Sequence, residues 1–385
     1  MAFPVYIHGN YESRYALLGA MARELGAAFE ERGCPVNPDE PVGSTPGAMI
    51  WFNSPASIDA IPDAARDPAN GVALIQIFVD HPYALSEPLI DELAALPHYR
   101  LLMPCVDGLH LLRDRWPTLR VGYLAHAVPP ESVCERAEGD REAGVIVAGS
   151  IHSEAELAET ESRFPSQFQR PCREMVELMV AHPHMPFEQA ADLVMGSRSM
   201  PTVPWAVSAG LWRLVSARVN RRRRIALVEA LQGLPVEVWG LDPWREVCTG
   251  TIEYKGEFAY ADSGTMLASA RCCLAWGPTQ FQHSYSERQL LSMAAGCATV
   301  SDDRLLVRGQ LAGGLEVFDA ARPADAADLF RDLLNDEPRR LDLARRGRDL
   351  VASTHLWSHR VERIASIASE AITSAREGGT AVAAA

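Results

Sequence analysis

A polar loop followed by a helix carries the side chains with the clearest chemistry. Residues 271–303 form a predicted strand, loop, helix, turn and second strand. Ser284 or Ser286 is placed to cap the helix, Glu287 lies in its first turn, and Arg288 comes next. The N–H groups and dipole of such a helix end attract a diphosphate, and a guanidinium adds forked hydrogen bonds to phosphate oxygens. We therefore predict a site for a diphosphate-bearing ligand here, with the Glu287 carboxylate accepting hydrogen bonds from ribose hydroxyls.

A purely structural explanation fits the same residue types. Acidic residues are common in the first helical turn because they complement the dipole, and an exposed arginine beside one needs no ligand. Both explanations stay open from the residue types alone. The ligand-binding hypothesis assigns five residues of this segment to the side of the site that binds the diphosphate-bearing ligand, here called the donor side: Ser284, Tyr285, Ser286, Glu287 and Arg288.

Two Trp-Gly pairs end predicted strands nearby, Trp239-Gly240 and Trp276-Gly277. A ring there could line a base or sugar pocket, and the glycine would let the backbone approach a ligand; the alternative is a pair of core tryptophans. Arg224 is our candidate for reaching the diphosphate from the arginine run 221–224, although such a run is more often a solvated face. Asp302 and Asp303 follow the next strand and would bind the donor or cap a turn.

Candidates for a catalytic base follow strands of the N-terminal half. Asp80 and His81 come directly after the apolar run 72–79, and His8 and His126 follow two other runs. Ligands of parallel α/β sheets bind at the carboxyl ends of strands, so these side chains are placed to deprotonate an acceptor. The alternative is ordinary turn chemistry, since aspartate and proline often end strands.

Composition excludes several classes of protein. Lys255 is the single lysine and has no glycine-rich loop before it, which argues against a Walker-type ATPase and a pyridoxal-phosphate enzyme. The net charge of -14 argues against a nucleic-acid binder. The cysteines show no C-x-x-C pair, the histidine pairs 182/184 and 355/359 lack a third ligand, and no apolar run could span a membrane. We expect no metal, and a cytoplasmic protein with reduced thiols.

The pattern of apolar runs predicts an α/β fold with two Rossmann-like domains that face a cleft. Short apolar runs alternate with helical or loop segments, as in parallel sheets with crossover helices. A polar stretch at 131–142 separates the halves, so we predict an N-terminal domain over 1–142, which would hold the acceptor-side candidates, and a C-terminal domain over 143–365, which would hold the diphosphate site. The latter includes a helical insertion at 153–233, and a helix end with a frayed tail occupies 366–385. Neither half contains G-x-G-x-x-G, which disfavours a dinucleotide oxidoreductase.

The C-terminal half resembles CgeB-like, group-1-type bacterial glycosyltransferases over about residues 215–365. The run 286–298, SERQLLSMAAGCA, is similar to their "ER-x-x-x-x-M-A-x-G-A/C" block. The family's motif order "R-x-x-x-L…v-x-v-y-G…y-x-G" is similar to residues 221–224, 236–240 and 254–258. Its last motif, "H-T-Y-x-x-R", is similar to the segment that contains His355, Trp357 and Arg360. The sequence departs from the pair of glutamates eight positions apart that many retaining enzymes carry, because His283 and Leu291 occupy those positions.

The resemblance implies a GT-B fold whose last helices pack back toward the N-terminal domain. It also implies hexosyl or deoxyhexosyl transfer from a UDP- or dTDP-sugar to a saccharide, protein or small-molecule acceptor, without a metal. The missing glutamate pair leaves two alternatives open, a non-catalytic GT-B binding or assembly protein and a nucleotide-sugar epimerase. It also leaves both stereochemical outcomes and every oligomeric state open.

Overall fold

The computed structural model describes residues 3–8, 16–53, 58–136, 138–196 and 203–383. Two compact units are distinguished, Met1–Pro130 with Thr354–Ala385, and Glu131–Ser353. These bounds differ from the predicted division at 142/143 and 365/366. The stretch 131–142 packs in the second unit, where the Cys134 N–H donates to the Ala294 carbonyl at 3.1 Å. Residues from Thr354 onward pack in the first unit, where the Val128 N–H donates to the His355 carbonyl at 3.0 Å.

The first unit contains a parallel sheet whose spatial order is the chain order, β1 to β5. Every residue of β2 and β3 is buried, which is typical of parallel strands covered on both faces. Because the strands are parallel, the residues that follow them emerge at one edge. The strands are β1 (Val5–Ile7), β2 (Gly47–Phe52), β3 (Val72–Ile77), β4 (Tyr99–Met103) and β5 (Val121–Tyr123).

One face of this sheet packs on the first and last helices of the chain. Met21, Leu25 and Phe29 recur at helical spacing on α1 and are fully buried. α1 ends before Gly33, whose φ of 74° few other residues adopt. α14 lies against α1 and β3, and its backbone stays helical through most of the tail that the sequence predicts to be frayed. The helices are α1 (Leu17–Glu31), α2 (Asp63–Arg66), α3 (Glu87–Ala94), α4 (Val106–Arg115) and α14 (Trp357–Ala383).

The second unit contains a parallel sheet of order β11-β10-β9-β6-β7-β8. The chain leaves β6 toward β7 on one side and later returns to β9 on the other. A crevice therefore opens where the loops after β6 and β9 diverge, the usual ligand position in such sheets. The strands are β6 (Ala143–Ala148), β7 (Val236–Trp239), β8 (Ile252–Gly256), β9 (Ala270–Leu274), β10 (Ala298–Asp302) and β11 (Glu316–Phe318).

The helical segment predicted at 153–233 is present between β6 and β7. Pro165, Pro186 and Pro204 directly precede α6, α7 and α8, because proline fits a helix start and breaks a helix interior. α8 and α12 cover the same face of the sheet. The helices are α5 (Glu154–Ser162), α6 (Ser166–Ala181), α7 (Phe187–Met195), α8 (Trp205–Ala230), α9 (Ser263–Ala268), α10 (Glu287–Ala294), α11 (Leu305–Gln310), α12 (Pro323–Asn335) and α13 (Glu337–Thr354).

Candidate functional site

The helix predicted to carry the ligand site begins at Glu287, and Ser286 rather than Ser284 is its cap. The Ser286 hydroxyl accepts from the Arg288 backbone N–H at 3.3 Å, and the Gln289 side-chain oxygen accepts from the Ser286 N–H at 3.1 Å. These reciprocal bonds form a capping box. Gln289 also donates to the Ser301 hydroxyl on β10 at 3.2 Å. The start of α10 is therefore fixed to the carboxyl end of the sheet.

Arg288 and Trp276 present two N–H groups at this point. Nη1 of Arg288 and Nε1 of Trp276 are both buried, and neither has a hydrogen-bond partner within the described part of the chain. The Trp276 ring and the Arg288 guanidinium both lie beside Gly149, the residue after β6, where an added Cβ would lie 3.3 Å from Cζ2 of Trp276 and 3.7 Å from Nη1 of Arg288. Buried donors left without acceptors cost free energy, so this arrangement suits an incoming oxyanion.

Glu287 and Arg288 are the partly exposed residues of the predicted segment 284–288. Their side chains are 13% and 33% exposed, and Oε1 of Glu287 lies 4.0 Å from Nε of Arg288. Ser284, Tyr285 and Ser286 are buried instead. The Tyr285 hydroxyl donates to Gln310 on α11 at 2.7 Å. These three residues therefore shape the loop, whereas the acid and the guanidinium are the groups that a ligand could reach.

Arg224 and Trp276, two residues of the predicted donor-side set, contact each other. The Arg224 guanidinium lies 5.4 Å from the Trp276 ring centroid, and its Nη1 donates to the Ser150 carbonyl in the loop after β6. The sequence predicts β9 to include Trp276, but the strand ends at Leu274, so the ring belongs to the loop. The observed role of Arg224 is to hold this ring and the Ser150 backbone; a direct contact with phosphate stays a prediction.

The structure does not bring Trp239 next to Trp276 and Arg224. Trp276 belongs to the same core cluster as Val236 and Val238, and Trp239 alternates to the opposite face of β7. There its indole N–H donates to Glu237 at 3.4 Å, and its ring packs edge-on against Phe258. Gly240 has a packing role, because a Cβ there would lie 2.3 Å from the Gly149 carbonyl oxygen.

Arg304 is a site-shaping residue that sequence reasoning missed. Its buried guanidinium donates from Nε to Asp302 at 2.7 Å and from Nη1 to the Pro278 carbonyl at 3.0 Å, and it also contacts the carbonyls of Gly277 and Phe281. Asp302 in turn accepts from the Gly277 N–H at 2.8 Å. The pair locks the β9–α10 loop, so Asp302 serves the loop, while Asp303 pairs with exposed Arg308. An acid-acid-arginine run directly after a strand is the signal available in the sequence.

Asp80 is held by a residue at the end of the neighbouring strand. The side-chain amide of Asn53 donates to Oδ2 of Asp80 at 2.8 Å, and its oxygen accepts from the Val79 N–H at 3.0 Å. Asn53 adopts a φ of 54°, which asparagine tolerates better than most residues. Gln76, fully buried in β3, donates to the Asn53 carbonyl at 2.6 Å. The carboxylate is therefore oriented, and Asn53 is a second residue that sequence reasoning missed.

The three histidine candidates lie at the same edge of the first sheet but differ in environment. His81 is buried, and burial lowers its pKa to about 3 despite the nearby charge of Asp107. Its Nδ1 accepts from the Tyr83 N–H at 3.3 Å, so it caps a turn as a neutral imidazole. His126 is also buried, and its carbonyl accepts from Arg360 at 2.9 Å. His8 is exposed after β1. The lone pair that His81 would use as a base already accepts the Tyr83 N–H, whereas Asp80 is only half-buried, which favours Asp80 over His81.

The motif residues His355, Trp357 and Arg360 dock the last helix onto the first sheet. Arg360 donates to the carbonyls of Ala125 and His126 at 3.0 and 2.9 Å and contacts Nδ1 of His355 at 2.9 Å. Trp357 is buried and donates to Glu24 at 2.8 Å. Residues that resemble a family signature thus have a structural role here.

Within the described ranges, the His, Cys, Asp and Glu side chains form no group of three or more that could hold a metal ion. No helix within the same ranges is both long enough and apolar enough to cross a bilayer.

Part of the second half of the chain is similar to a known family. Residues 221–366 match the model of a family described as "Glycosyl transferase-like". This match confirms the predicted resemblance at the level of a glycosyltransferase-like segment, and the CgeB-like assignment stays a prediction. No protein of curated function matches the chain at a significant level.

Solved structures share the fold over almost the whole chain. The DNA-modifying enzyme β-glucosyltransferase, solved with and without its substrate uridine diphosphoglucose, is 12% identical, with 96% of this chain and 99% of that chain covered and a TM-score of 0.53. Sucrose-phosphate synthase from Thermosynechococcus elongatus is 10% identical, with 95% and 98% covered and a TM-score of 0.52. T4 phage BGT in complex with UDP and Mn²⁺ is 12% identical, with 97% and 99% covered and a TM-score of 0.51. The chain thus has the fold of GT-B glycosyltransferases, as predicted.

Proposed function

We propose that this protein is a glycosyltransferase that moves a hexosyl group from a UDP- or dTDP-sugar to a hydroxyl acceptor. The observation that carries the proposal is the pair of buried N–H groups of Arg288 and Trp276, which lack partners in the described residues and lie beside Gly149 and the start of α10. A diphosphate would supply the missing acceptors, and the dipole of α10 would favour its charge. The glycosyltransferase-like match over 221–366 supports the same chemistry.

In the proposed reaction, the acceptor oxygen attacks C1 of the sugar and its proton passes to the Asp80 carboxylate. The bond from C1 to the diphosphate oxygen breaks, and the nucleoside diphosphate departs with the electron pair. Arg288 and the Trp276 N–H would stabilise the charge that develops on the leaving group. Glu287 would accept hydrogen bonds from the ribose. Asn53, through its 2.8 Å bond, would orient Asp80 toward the acceptor proton.

We further propose that the reaction needs no divalent metal, because arginine, indole and helix N–H groups would meet the diphosphate charge. One GT-B neighbour is described with both UDP and Mn²⁺, so the point requires its own measurement. UDP should raise the melting temperature equally with EDTA and with Mn²⁺. A stabilisation that appears only with Mn²⁺ would contradict metal-independent binding while leaving the donor class intact.

The donor site is tested by binding and turnover together. Arg288→Ala should weaken UDP binding about tenfold to a hundredfold, the usual cost of losing a charged hydrogen bond, and Glu287→Ala should weaken it less. Arg331→Ala removes an exposed arginine of α12 paired with Asp328 and serves as the matched control. Unchanged UDP binding in Arg288→Ala would exclude the site.

Turnover separates the proposed reaction from the two alternatives. Donor hydrolysis or transfer that Asp80→Asn abolishes would identify a transferase with this base. Interconversion of free sugar nucleotides without an acceptor would identify an epimerase, and tight binding with no turnover would identify a binding protein. Proton NMR of the transferred sugar should show inversion at C1, because a single displacement inverts that carbon. Retention would exclude the role given to Asp80.

A further inference from the structure

A polar cavity lies in the same unit and shares Trp276 with the candidate site. It has a volume of about 190 Å³ and lies at the carboxyl ends of β9 and β10, between α8 and the start of α12. Trp276 and Arg224 contribute to its wall, whereas Glu287 and Arg288 do not. The cavity therefore borders the predicted donor site through Trp276 and Arg224 but excludes the acid and the guanidinium at the start of α10. Its volume is below the roughly 300 Å³ at which typical small-molecule pockets begin, so it suits a small ligand.

The charge of the cavity wall is strongly positive. Among the described residues that line it, four are arginines, at positions 222, 223, 224 and 304, and one is acidic, Asp302. Asp302 is committed to Arg304 through a 2.7 Å ion pair. Arg222 pairs outside the cavity with Glu177. An excess of positive charge therefore remains on the wall, in a protein whose net charge is -14.

Arg223 shows where this charge lacks compensation. Its Nη2 donates to the Met179 carbonyl, while its Nε is buried and has no hydrogen-bond partner in the described ranges. Burial and the neighbouring charge of Arg304 lower the Arg223 pKa to about 10, although the charge of Asp302 acts in the opposite direction. A buried Nε–H without an acceptor among the described residues is costly, and an anion in the cavity would lower that cost.

We infer that this cavity is an anion site that binds a phosphate group, either free phosphate or the phosphate of a sugar monophosphate. Arg223 would donate to its oxygens, and the neighbouring Arg222 and Arg224 would add positive charge. Arginine forks match the oxyanion geometry, and the small residues Ala320 and Ala321 leave room for it at the start of α12. The site does not depend on the proposed transferase activity and would exist in a binding protein as well.

Equilibrium dialysis with radiolabelled inorganic phosphate, at constant ionic strength in chloride, tests the inference. The wild-type protein should bind phosphate saturably, and Arg223→Gln should weaken binding at least about tenfold, the scale of one lost charged hydrogen bond. Ala320→Glu places a carboxylate in the cavity and keeps every arginine, so it should have the same effect even if Arg223→Gln folds poorly. Arg288→Gln, in the donor site, should bind phosphate as the wild type does.

Competition decides the position and the source of the anion. Saturating UDP should leave phosphate binding in place, because Glu287 and Arg288 do not line the cavity. The inference would be overturned if UDP displaced phosphate or if Arg288→Gln abolished phosphate binding. It would also be overturned by full phosphate binding in both cavity variants, or by the absence of saturable binding in the wild type. Glucose 1-phosphate that displaces phosphate at lower concentration would identify a sugar monophosphate as the ligand. Equal or weaker competition would identify free phosphate.

Discussion

His81 makes the first unit sensitive to acid because its imidazole is buried. Its pKa is lowered from 6.5 to about 3, mainly by burial, while Asp107 acts in the opposite direction. Between these two pH values the unfolded chain binds a proton that the folded chain does not. The free energy of unfolding therefore falls as the pH drops below about 6.5, by up to about 1.4 kcal/mol for each pH unit.

We predict that His81→Asn removes about 2 kcal/mol of the stability difference between pH 8 and pH 5. Asparagine keeps a side-chain acceptor for the Tyr83 N–H, so the turn retains its cap. Urea denaturation of both proteins at the two pH values measures the difference. His110→Asn replaces an exposed histidine of α4 and should leave the difference unchanged. Equal acid sensitivity in His81→Asn and the wild type would show that another group is responsible.

The loop between β9 and α10 keeps its shape through a buried ion pair on the next strand. Removing one partner of such a pair leaves an uncompensated buried charge, whereas removing both does not. Arg304→Met should therefore cost about 3–5 kcal/mol in the free energy of unfolding, and Asp302→Asn combined with Arg304→Met should cost less. Arg308→Met breaks the exposed pair with Asp303 and should cost at most about 1 kcal/mol. Urea denaturation tests the series, and a double variant as unstable as Arg304→Met would refute the ion-pair explanation.

Local patterns predicted the elements well, because most strands are continuous apolar runs and most helices bury a periodic face. The strand predicted to end at Trp239 does so, and α10 begins directly after Ser286, one of its two predicted caps. The predicted end of β9 at Trp276 was wrong by two residues, because the apolar run continues past Leu274, the last residue of the ladder. The carbonyl partners of Arg304 lie 23 to 27 residues earlier in the chain, and Val79, which contacts Asn53, follows a different strand. Such contacts follow from strand pairing, which local composition does not encode.

Two separate cores organise the whole molecule, and the chain crosses between them near both ends of the second unit. The core of the first unit combines β1 to β3 and α1 with Trp357, Val361 and Ile364 of the last helix. The core of the second unit combines its sheet with α8 and α12, and contains Trp244. Because α14 completes the first core, residues more than 200 positions after β5 are required for the fold of the N-terminal half.

Trp357 and Trp244 form a matched pair that tests whether each core stabilises its own unit. Both rings are fully or almost fully buried, and each indole N–H donates a hydrogen bond, to Glu24 at 2.8 Å and to the Gly149 carbonyl at 2.6 Å. Replacing either with alanine should cost about 3–5 kcal/mol, the usual cost of a buried tryptophan. Hydrogen exchange should accelerate in α1 and β3 for Trp357→Ala, and in β6 and β10 for Trp244→Ala.

The same pair separates stability from ligand binding. Trp244 holds the Gly149 backbone beside Trp276 and Arg288, so Trp244→Ala should also weaken UDP binding, whereas Trp357→Ala should retain it at temperatures where the second unit stays folded. Faster exchange in both sheets for both variants would show that the two cores unfold as one cooperative body. In that case α14 would stabilise the donor site as well, since loss of its packing would reach the unit that holds Arg288.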